Sequence, residues 1–329
     1  MAFFSKKEII CPYCLATSRG KRIGKCSSCS KELPIQYIND YSDHPPFFIQ
    51  VFGWPRVGKT VYLSALTLML MKMSQVWPSY SSSPITEETQ KKFMEINGSF
   101  SKGQMPPITP KENQDIFLIQ LNDMELWGGK TLVIRDYAGE YFRGMNILSE
   151  KVPFLFKAPT TFMFISLPDI YQSTDGRSMD MLMNAYLTTF LKNKIDIKPQ
   201  NRKIVVVLTK ADLLEEELPT NLLKYLEDDP IWPAIDNTEI NTLLDSTSML
   251  EYIETMERVN NAIQNWIQQE AAGQLFIRLA QRNNIDLKFS LISSTGSEVG
   301  DDGNVPQKLE PRRVMDPFFW ALEFQSQTQ

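Results

Sequence analysis

An α/β fold built on a doubly wound sheet, with a small cysteine-bearing module ahead of it, is what this sequence predicts, and three observations carry the prediction. Two near-continuous apolar runs, TTFMFIS over 160–166 and IVVVL over 204–208, have the β-branched composition of strands buried on both faces of a sheet. Helical periodicity over 179–191, 250–267 and 271–282 alternates with such runs, as it does in α/β proteins. All four cysteines fall within the first 29 residues, so the metal or redox chemistry they carry belongs to a separate small unit.

Length and composition set the frame. A chain of 329 residues has room for one large domain and an appendage; the expected division is 1–45 for the cysteine module and linker and 46–329 for the main domain. Hydrophobic residues at 43% and charged residues at 22% are ordinary for a globular protein, so a real core is expected. The net charge of −5 argues against wholesale nucleic-acid binding, which needs excess Lys and Arg to displace counterions. Residues 1–45 nevertheless carry seven Lys/Arg against four Asp/Glu, which confines any nucleic-acid contact to the basic module. MAFFSKKEII lacks a signal-type apolar run, and no stretch reaches the ~18 uncharged residues of a membrane span. A cytoplasmic protein with no membrane contact is expected. His44, the only histidine, lies in YSDHPPFF, which argues against Ser-His-Asp and HExxH chemistry; a solvated linker residue is its expected state.

Cys11-Pro12-Tyr13-Cys14 and Cys26-Ser27-Ser28-Cys29 read as one site. Each CxxC pair makes a tight turn that aims two thiolates at one tetrahedral zinc, and the eleven residues between the pairs suffice for a short hairpin. Redox dithiols or disulfides are the competing reading. Four thiolates leave no open position for water, so the zinc would be structural. The two cores are expected to be separate, so that metal removal unfolds roughly the first 40 residues and spares the main domain. Arg19, Lys21, Arg22 and Lys25 offer a surface for nucleic acid or an acidic partner, or are simply solvated.

In the main domain FFIQVFGWPRVGKTVYLSALTLMLMKM reads as strand, glycine-bounded loop and buried helix. The stretch 80–113, rich in Ser, Pro and Lys, reads as a long irregular excursion. Strands at 116–121 and 131–134 are joined as a hairpin through NDMELWGGK. Residues 213–245 are acidic, with EEE and EDD runs, and read as an inserted helical or loop excursion with a solvated face. A last strand over 287–292 precedes SSTGSE, and RVMDPFFWALEF predicts a short helix docking Phe318, Phe319 and Trp320.

Gly53-Trp54-Pro55-Arg56-Val57-Gly58-Lys59-Thr60 matches GxxxxGK(S/T) between a predicted strand and helix. Loop N–H groups would cradle phosphates, Lys59 would reach the β and γ phosphates, and the Thr60 hydroxyl would bind Mg²⁺. Asp136 through Gly139, DYAG at a strand end, supplies a carboxylate for Mg²⁺ and an N–H for the γ phosphate. Thr209-Lys210-Ala211-Asp212 follows the IVVVL strand: the Asp212 carboxylate can accept both donors of guanine while the Lys210 stem packs on the ring. Thr209 stands where an asparagine is common and ties loops together. Ser293, Ser294 and Thr295 would bring a backbone N–H to the guanine oxygen.

In this order GWPRVGKT, DYAG, TKAD and SST resemble the translation-factor-like (TRAFAC) class of P-loop GTPases over residues 46 to about 300. With the N-terminal CxxC pairs, KTVYLSAL and RVMDPFFWAL, the chain is similar to the bacterial double-GTPase group with an N-terminal zinc ribbon. The resemblance implies a P-loop GTPase sheet, GTP/GDP and Mg²⁺ as ligands, and a place in prokaryotic conflict or defence systems. It also implies a switch threonine, for which Thr109 is the candidate and Thr86 and Thr89 the rivals. Glu140 takes the position of a water-orienting residue. Arg56 matches the GxxRxGK pattern of guanylate-binding large GTPases, where such an arginine acts as a built-in finger when two subunits pair; the alternative is an arginine turned to solvent or to an acidic neighbour. Two functions from different classes follow. One is a GTP-hydrolysing switch, read by a protein partner through residues 80–115 and 137–158. The other is a nucleotide-stabilised scaffold with little turnover whose zinc module holds a partner.

Overall fold

The computed structural model describes residues 7–20, 24–100, 104, 116–136, 153–171, 178–236, 243–297 and 309–326. The chain begins with β1 (Lys7–Ile10), β2 (Thr17–Gly20) and the short helix α1 (Ile35–Asn39). Then come β3 (Pro46–Gly53), α2 (Lys59–Lys72), β4 (Ser81–Pro84), α3 (Glu87–Phe100), β5 (Ile116–Met124) and β6 (Gly128–Arg135). The second half runs α4 (Pro153–Lys157), β7 (Thr160–Ser166), α5 (Leu167–Tyr171), α6 (Met179–Lys192) and β8 (Lys203–Thr209). It continues with α7 (Thr220–Glu227), α8 (Ile231–Asp236), α9 (Ser246–Ile267), α10 (Ala271–Arg282), β9 (Asp286–Leu291) and α11 (Asp316–Ser326).

Seven strands make one sheet in the order β4-β5-β6-β3-β7-β8-β9. β6, β3, β7, β8 and β9 are paired in parallel, and β5 is antiparallel to both of its neighbours. The chain fills one side of β3 before crossing to the other, so the carboxyl end of β3 lies at the switch point where α/β sheets open a crevice for ligands. Side chains of a strand alternate between faces, and β3 shows it. Phe47, Ile49 and Val51 join a cluster with α2, α8 and α11, whereas Phe48 and Phe52 join a second with α4, α6 and α10. This is the doubly wound sheet that the apolar runs predict. In α2 the buried residues extend without a break from Tyr62 to Leu70, as expected of a helix apolar all round. None of the helices among the described residues is long and apolar enough to cross a membrane.

Three expectations need correction. The 80–113 stretch contains β4 and a 14-residue helix, α3. Its polar surface hides a one-sided apolar face of Phe93 and Ile96, and the Thr86 hydroxyl ahead of it accepts the Thr89 N–H at 3.2 Å, as a capping residue does. Within 213–245, the acidic runs conceal a buried face: Leu222 and Leu226 of α7 and Ile231, Ala234 and Ile235 of α8 are all inside. His44 is not a bare linker residue. Its Nε2 stands 2.6 Å from Asn122 Oδ1 and its ring packs where a side chain at Gly129 would be, 2.7 Å from the nearest ring atom.

The hairpin of β5 and β6 forms as expected, and α11 docks Phe318, Phe319 and Trp320 in the core. At the start of α11 lies a buried polar network. Asp316 accepts hydrogen bonds from Tyr225 at 2.6 Å and Tyr252 at 2.5 Å, while Arg313 donates to the carbonyls of Tyr225 and Asp228 and stacks 3.7 Å over the Tyr225 ring. Residues from α7, α9 and α11 are thereby fixed to one another. The cysteine module is joined to the sheet as well. Its apolar cluster of Ile9, Cys11, Cys14, Cys26, Leu33 and Tyr37 is distinct from the two large ones but includes Ile116 and Leu118 of β5, so the module packs directly on the sheet.

Candidate nucleotide site and cysteine centre

The loop 53–60 leaves β3 and enters α2. Glycine is required at its start because a Cβ at Gly53 would stand 2.8 Å from the Phe164 carbonyl oxygen of the neighbouring strand. It is required again at Gly58, which caps α2 with φ +85°, a left-handed conformation that costs other residues energy. Arg56 adopts φ +68° and is exposed. Lys59 is buried, its ammonium donating to the carbonyls of Gly53 at 3.2 Å and Trp54 at 2.7 Å. The lysine therefore lies across a loop that leads into a helix N-terminus, the kind of junction that cradles an anion. Thr60 follows in the first turn of α2.

Asp136 directly follows β6, whose Arg135 pairs in register with Gln50 of β3, and is 3% exposed. Its carboxylate is thus set beside the strand that launches the loop. Thr209 ends β8 and is buried; its hydroxyl donates to the Val57 carbonyl at 2.7 Å and lies 3.3 Å from the Ile165 carbonyl. That places TKAD against the phosphate-type loop through a hydroxyl, with Gly58 in van der Waals contact with Thr209. Lys210 turns the chain with φ +59°, and Asp212 sits half-buried in the 3-10 turn Ala211–Leu214. Ala211 N–H donates to the Ile292 carbonyl at 3.2 Å, which joins TKAD to the loop after β9.

In that last loop Ser293 donates its N–H to the Arg312 carbonyl, and its hydroxyl accepts the Gly296 N–H at 2.9 Å. Ser293 therefore shapes the turn, with Ser294 buried beside it at 9% exposure. Thr86 and Thr89 are tied to each other, and Thr89 also accepts the Leu118 N–H; both serve the sheet edge. Thr109, Gly139, Glu140 and Arg143 lie outside the described residues. Sequence reading missed the strap over the loops after β8 and β9: Arg312 pairs its backbone with Ser293 and reaches Glu215 at 2.8 Å. Its partners are 19 and 97 residues distant, so no spacing signal exposes it.

The four cysteine sulfurs lie within 4.8 Å of one another, with Cys11–Cys29 at 3.7 Å and Cys14–Cys26 at 3.6 Å, and all four are free. Sulfurs ~2.3 Å from one tetrahedral ion stand about 3.8 Å apart, so the set fits zinc. The two turns are built alike. Tyr13 N–H points to Cys11 Sγ and Ser28 N–H to Cys26 Sγ, each at 3.4 Å, and Leu15 and Ser30 close them with φ of +56° and +59°. Burial pushes the Cys11 and Cys14 thiols up, whereas Cys26 is brought down to about 6 against burial by the N–H groups of Cys29 and Ser28. The hairpin β1–β2 closes through the first pair of cysteines rather than between the pairs. Of the basic residues, Arg19 forms an exposed ion pair with Glu8 at 2.9 Å, Lys25 is exposed, and Lys21 and Arg22 lie outside the described residues.

No curated protein sequence matches the chain. Among solved structures it is similar to a nucleolar GTP-binding protein 1 from Plasmodium falciparum, at 13% identity over 87% of this chain and 91% of that one, with a TM-score of 0.34. It is also similar to the Ski7 GTPase-like domain of S. cerevisiae, at 16% identity over 89% of this chain and 53% of that one, with a TM-score of 0.37. Residues 47–295, from the first strand of the large sheet to the loop after its last, match the family model of Double-GTPase 2, and the chain belongs to that family of GTPases.

Proposed function

We propose that this chain is a molecular switch that binds GTP and hydrolyses it to GDP, with the GTPase domain spanning 46–329 and a structural zinc module in 1–45. The observation that carries the reading is the tie from Thr209 to the Val57 carbonyl, which holds the base-reading segment against the phosphate loop. Gly53, Gly58, Lys59 and Thr60 would take the phosphates, and Thr60 with Asp136 would hold Mg²⁺, whose charge offsets that of the β and γ oxygens. Asp212 and Lys210 would take guanine, with Ser294 at its oxygen. Thr109, Gly139 and Glu140 retain the switch, γ-phosphate and water-orienting roles by resemblance. Arg56, exposed in the loop, would act by resemblance as a finger toward a transferring phosphoryl group when a second subunit orders it, the alternative being an arginine turned to solvent. Cys11, Cys14, Cys26 and Cys29 would bind zinc.

Titration with fluorescent GTP, GDP and ATP tests the base assignment. GTP and GDP should bind and ATP should not compete, and Asp212→Asn should shift preference toward xanthosine triphosphate, because the amide offers guanine a donor where it needs an acceptor. Retained guanine selectivity in that variant would refute the assignment. Single-turnover hydrolysis separates a switch from a scaffold that binds GTP without consuming it.

A further inference from the structure

We propose that the cysteine centre is part of the switch: its first turn positions Arg135 and hence Asp136, so that zinc occupancy and nucleotide binding are thermodynamically linked. The proposal rests on the GTP-site reading above. Two cations of the GTPase domain end on carbonyls of this turn. Arg135 Nη1 donates to the Tyr13 carbonyl at 3.2 Å, and Lys157 Nζ donates to the Cys14 carbonyl at 3.3 Å. Arg135 is 7% exposed, is adjacent in sequence to Asp136, and lies 5.7 Å over the ring of Phe154. Phe154 and Lys157 both belong to α4. The described segments on either side of residues 137–152 therefore both meet one cysteine turn.

The turn can hold them because sulfur holds the turn. Tyr13 sits between the ligands Cys11 and Cys14, and its N–H is directed at Cys11 Sγ; its carbonyl, which accepts Arg135, belongs to the next peptide, the one that leads into Cys14, so sulfurs held by a metal at both cysteines fix the turn on both sides of that carbonyl. A third connection runs through the sheet. Ile116, in the module's apolar cluster, is the register partner of Arg135. Neighbours paired across strands share a face, so a displaced module would disturb the end of β6 from two sides. A ligand at Asp136 that favours one arrangement of this strand end must, by reciprocity, favour the metal-bound module by the same factor.

The experiment uses the full chain loaded with zinc chloride in excess Mg²⁺. Zinc affinity is measured by competition with a zinc-selective chelator, in the nucleotide-free protein and with a non-hydrolysable GTP analogue. We expect zinc to bind about 5-fold or more tightly with the analogue, the lower end of usual coupling, and analogue affinity to fall by the same factor after zinc removal. The exposed Lys157→Ala change should weaken this coupling, and Arg135→Lys with Lys157→Ala should bring the ratio toward one while each variant still takes up one zinc. Equal zinc affinity in both nucleotide states would overturn the proposal, as would full coupling in the folded double variant or a chain that takes up no zinc. Absence of nucleotide binding in the zinc-loaded parent would instead overturn the GTP-site reading beneath it.

Discussion

Asp316 gives the stability of this fold a dependence on pH that can be isolated. Its carboxyl is fully buried, and burial raises it to about 6, with Arg313 and the hydroxyls of Tyr225 and Tyr252 opposing the rise. In the unfolded chain an aspartate titrates near ~3.9. The native state therefore binds more protons between these values, so stability present at low pH is lost as pH rises through about 4 to 6 and levels off above. A difference of about two units corresponds to about 3 kcal/mol in total, of which about 2 kcal/mol falls between roughly pH 4.5 and 7.5. Asp316→Asn removes the titration while keeping the volume. Urea unfolding of parent and variant at several pH values in this window should give a stability difference that moves against the parent by about 2 kcal/mol as pH rises. A difference that stays flat would show that the carboxyl keeps an ordinary affinity for protons despite its burial, and that the tyrosines and Arg313 compensate in full.

Thr209→Val strips the buried Val57 carbonyl of its side-chain donor; it should cost about 1–3 kcal/mol of stability and weaken GDP and GTP together, which thermal unfolding and fluorescent-nucleotide titration would check. Arg312→Ala removes a half-exposed ion pair with Glu215, and both nucleotides should lose about 2- to 5-fold in affinity, in line with 0.5–1 kcal/mol for such a pair; a loss confined to GTP would place Arg312 on the phosphate side instead. Arg56→Ala should leave GTP affinity within a few-fold but slow turnover by roughly 10³-fold, the scale of an arginine finger, with the parent's turnover rising with protein concentration. Unchanged turnover in that variant would pass the role to Arg143 or to a partner.

What could be read in advance followed from local rules. TTFMFIS and IVVVL announced strands β7 and β8 because burial on both faces leaves no polar positions, and GWPRVGKT announced a strand-loop-helix junction because its glycines answer steric demands within a few residues. The helix α3 escaped because its apolar residues are few and Met94 stands exposed among Lys, Glu and Gln, so the face of Phe93 and Ile96 gives only a weak period. The buried face of helices α7 and α8 escaped because runs of acid say nothing about the leucines and isoleucines between them. The cysteine set was legible from spacing, whereas its attachment to Arg135, Lys157 and β5 was not. The contacts of Arg135 and Lys157 join residues more than a hundred positions apart in the chain and end on backbone carbonyls, which every residue possesses, and the packing on β5 is apolar and distant in sequence. Ser293 illustrates the converse limit: a motif placed the loop after β9 correctly but did not reveal that this serine's own N–H is already used.

Helix α11 has a consequence for the order in which the protein can be made. Phe319 stacks on Trp127 with ring centres 5.5 Å apart, Glu323 accepts the Trp127 indole N–H at 2.9 Å, and Phe318 lies 5.8 Å from Phe47 on the strand that begins the sheet. Contacts of such long sequence separation form late, and a ribosome delivers residues 316–324 after nearly everything they cover. Until then one face of the sheet has no lid over Trp77, Trp127 and Phe47, and the strap at Arg312 that steadies the loops after β8 and β9 has no anchored helix behind it. A nascent chain would thus display a broad aromatic surface to chaperones until this segment is made.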